Sequence, residues 1–167
     1  MLSIVPIAIL VLHKARARVG LAQEKLMVLI LKSADRAYKT EYDRLPSASA
    51  TPHQKDSELD TTTPDGLALI RVLAGGDDAG NPRKIPFLEL PPARPNGSGY
   101  SVANGLRDSW AKHGYRVIVD YDGDGKIANP ASGWSGQPDS LAVDVAIYSA
   151  GPDGDFSTWT DNVVSWD

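Results

Sequence analysis

The chain contains no cysteine, which excludes disulfide scaffolds, thiolate metal sites, iron–sulfur clusters and thiol nucleophiles. Histidine is almost as scarce. His13, His53 and His113 stand far apart without ligand spacing, which disfavours a histidine zinc site. Long apolar runs are missing too. The longest spans residues 2–12 (LSIVPIAILVL), short of the about 20 helical residues that cross a bilayer core. No Gly-x-Ser-x-Gly elbow, His-Glu-x-x-His pair or phosphate loop occurs, so no catalytic constellation emerges and no catalytic residue is assigned. Glutamate is absent after Glu89, and every later acid is aspartate.

What is present describes one folded domain. The chain has 167 residues, 42% of them hydrophobic and 23% charged, enough to bury a core without staples. The net charge of −4 hides an asymmetry. Residues 1–44 carry eight Lys/Arg against four Asp/Glu, and residues 45–107 carry six against seven. Residues 108–167 carry three against ten. So acidic an end repels nucleic-acid phosphates and suits a cation, so no nucleic-acid partner is expected.

Read in order, the chain divides into three parts. Residues 1–44 open with the apolar stub, which fits a signal-peptide core, the stub of a longer apolar helix or a buried helix end. A helical period follows: Ala15, Val19, Ala22, Leu26, Leu29 and Ala37 fall on one stripe. The helix should stop before Pro46, since the residue preceding proline is pushed out of the α region. One helix over 2–44 would be roughly 65 Å long. The alternative is a helix pair hinged at Pro6 or Gly20. Residues 45–107 form a variable middle. Within it 46–63 reads as a long polar loop and 64–73 as a short helix capped by Thr63. Residues 85–90 read as a brief extended segment. Residues 108–167 carry strands at 115–119 (YRVIV) and 141–148 (LAVDVAIY), with Val143, Val145 and Ile147 sharing one face. The expected fold is α+β, a long N-terminal helix packed against a small C-terminal antiparallel sheet.

Two aspartate clusters carry the chemistry. In Asp120-Tyr121-Asp122-Gly123-Asp124-Gly125-Lys126, alternate aspartates and a glycine at the sixth position match the first half of a calcium loop. Calcium takes six to eight oxygens, and spacing by two lets a curling backbone aim successive carboxylates inward. The twelfth position is Ala131 where an EF-hand needs glutamate, and a strand precedes the loop, so an EF-hand is disfavoured. A non-helical calcium loop and a solvated hairpin turn both fit the spacing. The second cluster runs from Ser149-Ala150-Gly151-Pro152-Asp153-Gly154-Asp155 to Asp161-Asn162. By spacing alone it reads as a surface loop. His113, beside Gly114 and near Asp108, reads as a surface or satisfied histidine.

The stretch from Val145 to Gly154, followed by Asp161-Asn162-Val163-Val164-Ser165-Trp166, resembles the ending of the major pseudopilin of type II secretion systems. Asp108-Ser109-Trp110-Ala111 through Tyr115 is similar to its Asp-Pro-Trp-Gly-x-Pro-Tyr segment. Lys14 to Arg18, Tyr38 and Tyr42 to Pro46 resemble its basic helix and tyrosine-rich helix exit. The resemblance implies a type IV pilin-like fold and a structural, non-enzymatic subunit that assembles with copies of itself and other secretion-machine subunits into a pseudopilus. It implies anchoring in the bacterial inner membrane through the N-terminal apolar helix, with the rest in the periplasm or at the cell surface. It further implies calcium held by the C-terminal loop, with Asp153, Asp161 and Asn162 at carboxylate-bearing positions and Ser149 as a carbonyl donor. Asn162 stands where the family has aspartate. The roles of Asp120, Asp122 and Asp124 rest on spacing alone. The family's Gly-Phe-Thr-Leu-Ile-Glu motif is not found ahead of the apolar stub, so a truncated or divergent N-terminus is expected. Two other readings share the same loops: a calcium-dependent adhesive module that does not polymerise, and an enzyme pairing Asp122 with Asp153.

Overall fold

A computed structural model describes residues 5–47, 55–76, 79–134 and 136–166, with side chains from Arg18 onward. Helix α1 runs unbroken over Val5–Tyr42, 38 residues or roughly 57 Å. Neither Pro6 nor Gly20 hinges it. Pro6 lies in the first turn, where its missing N–H costs nothing. Gly20 has a packing reason: the indole of Trp110 lies where a side chain would point, 3.3 Å from the place of a Cβ. The helix ends two residues before the expected limit because Asp43 turns left-handed (φ 52°) and donates its N–H to the Lys39 carbonyl.

The remaining elements are β1 (Ser57–Asp60), α2 (Pro64–Leu73), β2 (Gly99–Ser101), β3 (Gly105–Arg107), β4 (Arg116–Val119), β5 (Ile127–Ala128), β6 (Ser140–Leu141), β7 (Val145–Ser149) and β8 (Val163–Val164). The main sheet is antiparallel with order β1-β4-β7-β8, and two small hairpins, β2-β3 and β5-β6, flank it. The architecture is α+β.

Both faces of the sheet are covered. Helix α1 lies on β7 and β8. Its inner residues Met27, Val28, Leu31, Ala34 and Tyr38 meet Val117, Val119, Val145 and Ile147, with Leu69, Leu73 and Leu88 closing the core. On the other face Ile118, Ala146 and Tyr148 meet Ile127 and Leu141, and Phe156, Trp159 and Trp166 pack around them. All five residues of β7 are therefore buried.

Three sequence expectations are corrected. The supposed polar loop 46–63 contains β1; it is an edge strand, where polar residues are tolerated. Glu58 and Asp60 reach Arg116 across the β1-β4 pair at 3.4 Å each, and only Leu59 joins the core from this strand. Residues 48–54 of that span lie outside the described residues. The run 141–148 is not one strand. It splits into β6 and β7 around Asp144, whose side chain pairs with Lys39 at 2.8 Å and whose carbonyl accepts from Asp120 N–H. Val143 consequently packs with the Ile118 cluster rather than beside Val145 and Ile147.

Candidate metal-binding loops

The first aspartate cluster leaves the end of β4. Asp120 is buried, and its two carboxylate oxygens accept the N–H groups of Gly123 (2.8 Å) and Gly125 (2.9 Å). Both glycines are left-handed (φ 73° and 78°), which lets the backbone curl around the carboxylate. Asp122 accepts from Asp124 N–H (3.2 Å), and Asp124 from Lys126 N–H (2.7 Å). The loop is thus a series of aspartate-capped turns.

A residue that sequence reading missed completes the cluster. β1 pairs Ser57 with Val119, so the antiparallel register sets Asp56 opposite Asp120. Asp56, Asp120 and Asp122 each offer an oxygen within 4.8 Å of the others. Asp124 is not in this group. Oδ1 of Asp56 is buried and has no hydrogen-bond partner among the described residues. Burial first, then the charges of Asp122, Asp120 and Asp124, push the Asp56 carboxyl above its usual range. A hard divalent cation would relieve both the orphaned oxygen and the repulsion, and three carboxylates suit oxygen coordination. Among the described residues this is where three such carboxylates converge. Only the recognition of 57–60 as a strand would have revealed Asp56 from sequence.

The second cluster follows β7. Gly151 (φ 65°) lies so close to Asp161 that an added Cβ would stand 2.3 Å from its carbonyl oxygen. Asp153 N–H donates to Asp161 Oδ2 (3.3 Å), and Gly151 N–H to the buried Ser149 hydroxyl (3.4 Å). Asn162 donates to the Phe156 carbonyl. Oδ1 of Asp161 and Oδ1 of Asn162 are buried with no hydrogen-bond partner among the described residues. The structure therefore brings Ser149, Asp153, Asp161 and Asn162 into one loop, but among the described residues it does not gather three carboxylates there. A cation already touches the rim: Lys112 donates to the Pro152 and Asp153 carbonyls at 2.9 Å each. Asp155 instead binds Ser157, whose hydroxyl and N–H hold its carboxyl below the usual range.

The two clusters lie at opposite ends of the β4-β7 ladder. Val119, beside Asp120, pairs with Val145 at the start of β7, whereas Arg116 pairs with Tyr148, beside Ser149. Asp122 and Asp153 are thereby placed apart rather than face to face.

A buried carboxylate ties α1 to the segment before β4. Glu24 accepts from Ser109 N–H (2.9 Å) and the Tyr115 hydroxyl (3.1 Å), and burial raises its carboxyl. Asp108, also buried, accepts N–H groups from Trp110, Lys112 and His113, which fixes the turn that presents Lys112. His113 rests against Phe156 with ring centroids 5.3 Å apart.

The outer side of α1 is the last candidate surface. Val19, Leu26 and Leu29 are 56%, 59% and 55% exposed, and Ala22 and Ala37 are exposed beside them. The Ala15 side chain lies outside the described residues. The stripe named from periodicity is therefore the face turned away from the sheet. Among the described residues no helix is long and apolar enough to cross a membrane. No protein-family model matches the chain, and no curated protein or solved structure matches it significantly.

Proposed function

We propose that this chain is a pilin-like structural subunit without catalytic turnover. It packs with copies of itself and other secretion-machine subunits through the outer face of α1, and calcium stabilises its aspartate loops. The observation that carries this reading is the exposed row Val19, Ala22, Leu26, Leu29 and Ala37. It runs along a helix whose opposite face already fills the core. Apolar side chains on one helix face gain stability by leaving water, at about 25 cal/mol per Å². A like helix offers the matching row. The resemblance of the C-terminal loop, the helix exit and the 108–115 segment to the major pseudopilin family supports the same reading, and with it an N-terminal inner-membrane anchor and an outward-facing sheet.

Self-association is tested by crosslinking in cells. Because the chain has no native cysteine, Val19→Cys and Leu29→Cys report on α1 contacts without background. The expected result is a ladder of oxidised multimers that disappears when Leu26→Asp is added. The same monomer band in every lane, with Leu26→Asp folding normally, would leave a non-polymerising surface module as the better account.

A further inference from the structure

Residues 149–167 carry four aspartates and neither lysine nor arginine, so a cation that balances the C-terminal loop must come from elsewhere. The structure supplies one. Lys112 reaches over from the segment before β4, and its ammonium donates to the Pro152 and Asp153 carbonyls at 2.9 Å each. Two details show that this reach is built into the fold. The buried carboxylate of Asp108 accepts the N–H groups of Trp110 (3.0 Å), Lys112 (2.9 Å) and His113 (3.0 Å), and Ala111 between them is left-handed (φ 59°). The turn is therefore fixed where Lys112 leaves it. Gly154 then makes room for the stem, since an added Cβ would stand 2.7 Å from Lys112 Cδ. Meanwhile the carboxylates of the loop are engaged with its own backbone. Asp153 Oδ1 accepts Asp155 N–H (2.8 Å), and Asp161 Oδ2 accepts Asp153 N–H (3.3 Å). Asp161 Oδ1 and Asn162 Oδ1 have no hydrogen-bond partner among the described residues, two oxygens where calcium takes six to eight.

We propose that Lys112 takes, in this loop, the place that the resemblance gives to calcium: its ammonium closes the loop, and no metal ion binds there. An ammonium group and a calcium ion both gather carbonyl oxygens. Ammonium brings one charge and three directional protons, whereas calcium demands several carboxylates converging on one point. The loop meets the smaller demand. Two carbonyls already lie on Lys112 Nζ, and three carboxylates are not gathered here among the described residues. Asn162 at a position where the family has aspartate removes one negative charge, which suits a monovalent cation in place of a divalent one. A second ammonium fastens the far end of the same segment. Lys32 of α1 donates to the Ser165 carbonyl, and the Ser165 hydroxyl accepts Ile147 N–H at 2.9 Å. The inference refines the calcium reading proposed above, confining the ion to Asp56, Asp120 and Asp122, and is independent of assembly through α1.

The test reads two regions of the isotope-labelled full chain separately. Calcium chloride is titrated in, with sodium chloride of equal ionic strength as the control. Saturable shifts are expected at residues 56 and 120–125 and none at 149–162. Hydrogen exchange then reports on the ammonium. Lys112→Met keeps the stem beside Gly154 and removes the charge and its donors. The Gly151, Asp153 and Gly154 amides should then exchange about tenfold faster, the scale of one charge-assisted hydrogen bond. Amides of the β4-β7 ladder serve as the internal check that the sheet is intact. Lys112→Arg, which keeps charge and donors, should exchange more slowly than Lys112→Met. Calcium shifts at 149–162 that appear only in Lys112→Met also support the proposal, because the two carbonyls are then free. Saturable calcium shifts at 149–162 of the native chain overturn it, and so does exchange in Lys112→Met that matches the native chain. Calcium that shifts neither region removes the ion from the Asp56 end and supports the role of Lys112, so the two failures are read at different residues.

Discussion

Asp35 is a carboxylic acid on the inner face of α1, one residue from Ala34 and three from Tyr38, both part of the core. Burial alone moves its carboxyl from the ordinary 3.8 to about 8. The folded chain therefore holds a proton that the unfolded chain releases. Its contribution to stability is fully present below about pH 4 and is lost as pH rises to about 8. Asp35→Leu removes that loss and the orphaned oxygens together. In urea unfolding at neutral pH it should stabilise by about 1–3 kcal/mol, the usual cost of a buried polar group without a partner. The difference between native and variant should shrink toward pH 4. An equal difference at every pH would show that Asp35 is solvated. Glu24 differs because one of its oxygens accepts two hydrogen bonds, from Ser109 and Tyr115. Its replacement by leucine would strand both donors.

Among the elements, α2 gives the sharpest contrast between local and tertiary rules. Thr63 caps it, accepting from Gly66 N–H at 3.4 Å, and Pro64 opens it. Gly66 sits in its first turn, where helix propensity alone favours alanine by about 1 kcal/mol. Yet a Cβ at Gly66 would lie 1.9 Å from the Asp60 carbonyl oxygen, at the end of β1. Gly66→Ala should therefore destabilise by about 1–3 kcal/mol, measured by thermal melting, because the β1–α2 corner must open. A stabilised variant would mean that β1 is not held against α2. The same corner explains which elements sequence alone revealed. Helix α2 was legible because its cap, proline and apolar spacing are local signals. Strand β4 was legible because Val117, Ile118 and Val119 form an uninterrupted β-branched run. Strand β1 was not, because Ser57-Glu58-Leu59-Asp60 is polar, and its strand character comes from pairing with β4 far along the chain. Asp56 was hidden for the same reason. On α1 two apolar rows coexist: periodicity identified Val19, Leu26 and Leu29, while the row that fills the core is Met27, Val28, Leu31 and Tyr38. Period alone does not say which row meets the sheet. The Asp120 and Ser149–Asn162 loops were visible as clusters, but their separation by the β4-β7 ladder is a matter of register.

At the scale of the whole molecule, positive charge lies at the N-terminal end of the chain and negative charge at its C-terminal end, and the acids concentrate in the two loops. Each end holds buried oxygens without a hydrogen-bond partner among the described residues: Asp56 Oδ1 at one, Asp161 Oδ1 and Asn162 Oδ1 at the other. On the proposed calcium reading the ion binds the folded chain and not the unfolded one, since both groups of oxygens are assembled by folding. Asp56 meets Asp120 only through strand pairing, and Asp161 meets Gly151 only when the C-terminal loop closes. A single site at 100 times its dissociation constant adds about 2.7 kcal/mol. For a domain of this size that raises the melting temperature by roughly 5–10 °C. Melting the full chain in calcium and in chelator measures the gain, and two variants locate it. Asp56→Asn should remove the gain if the ion sits at the β1-β4 end, and in chelator it should melt slightly above the native chain because repulsion with Asp120 and Asp122 is relieved. Asp161→Asn should remove it if the ion sits in the C-terminal loop. A partial loss in each variant would indicate one ion at each end of the ladder. Identical melting in calcium and chelator would refute the calcium reading and leave the aspartates as turn residues, while α1 crosslinking would still decide assembly on its own.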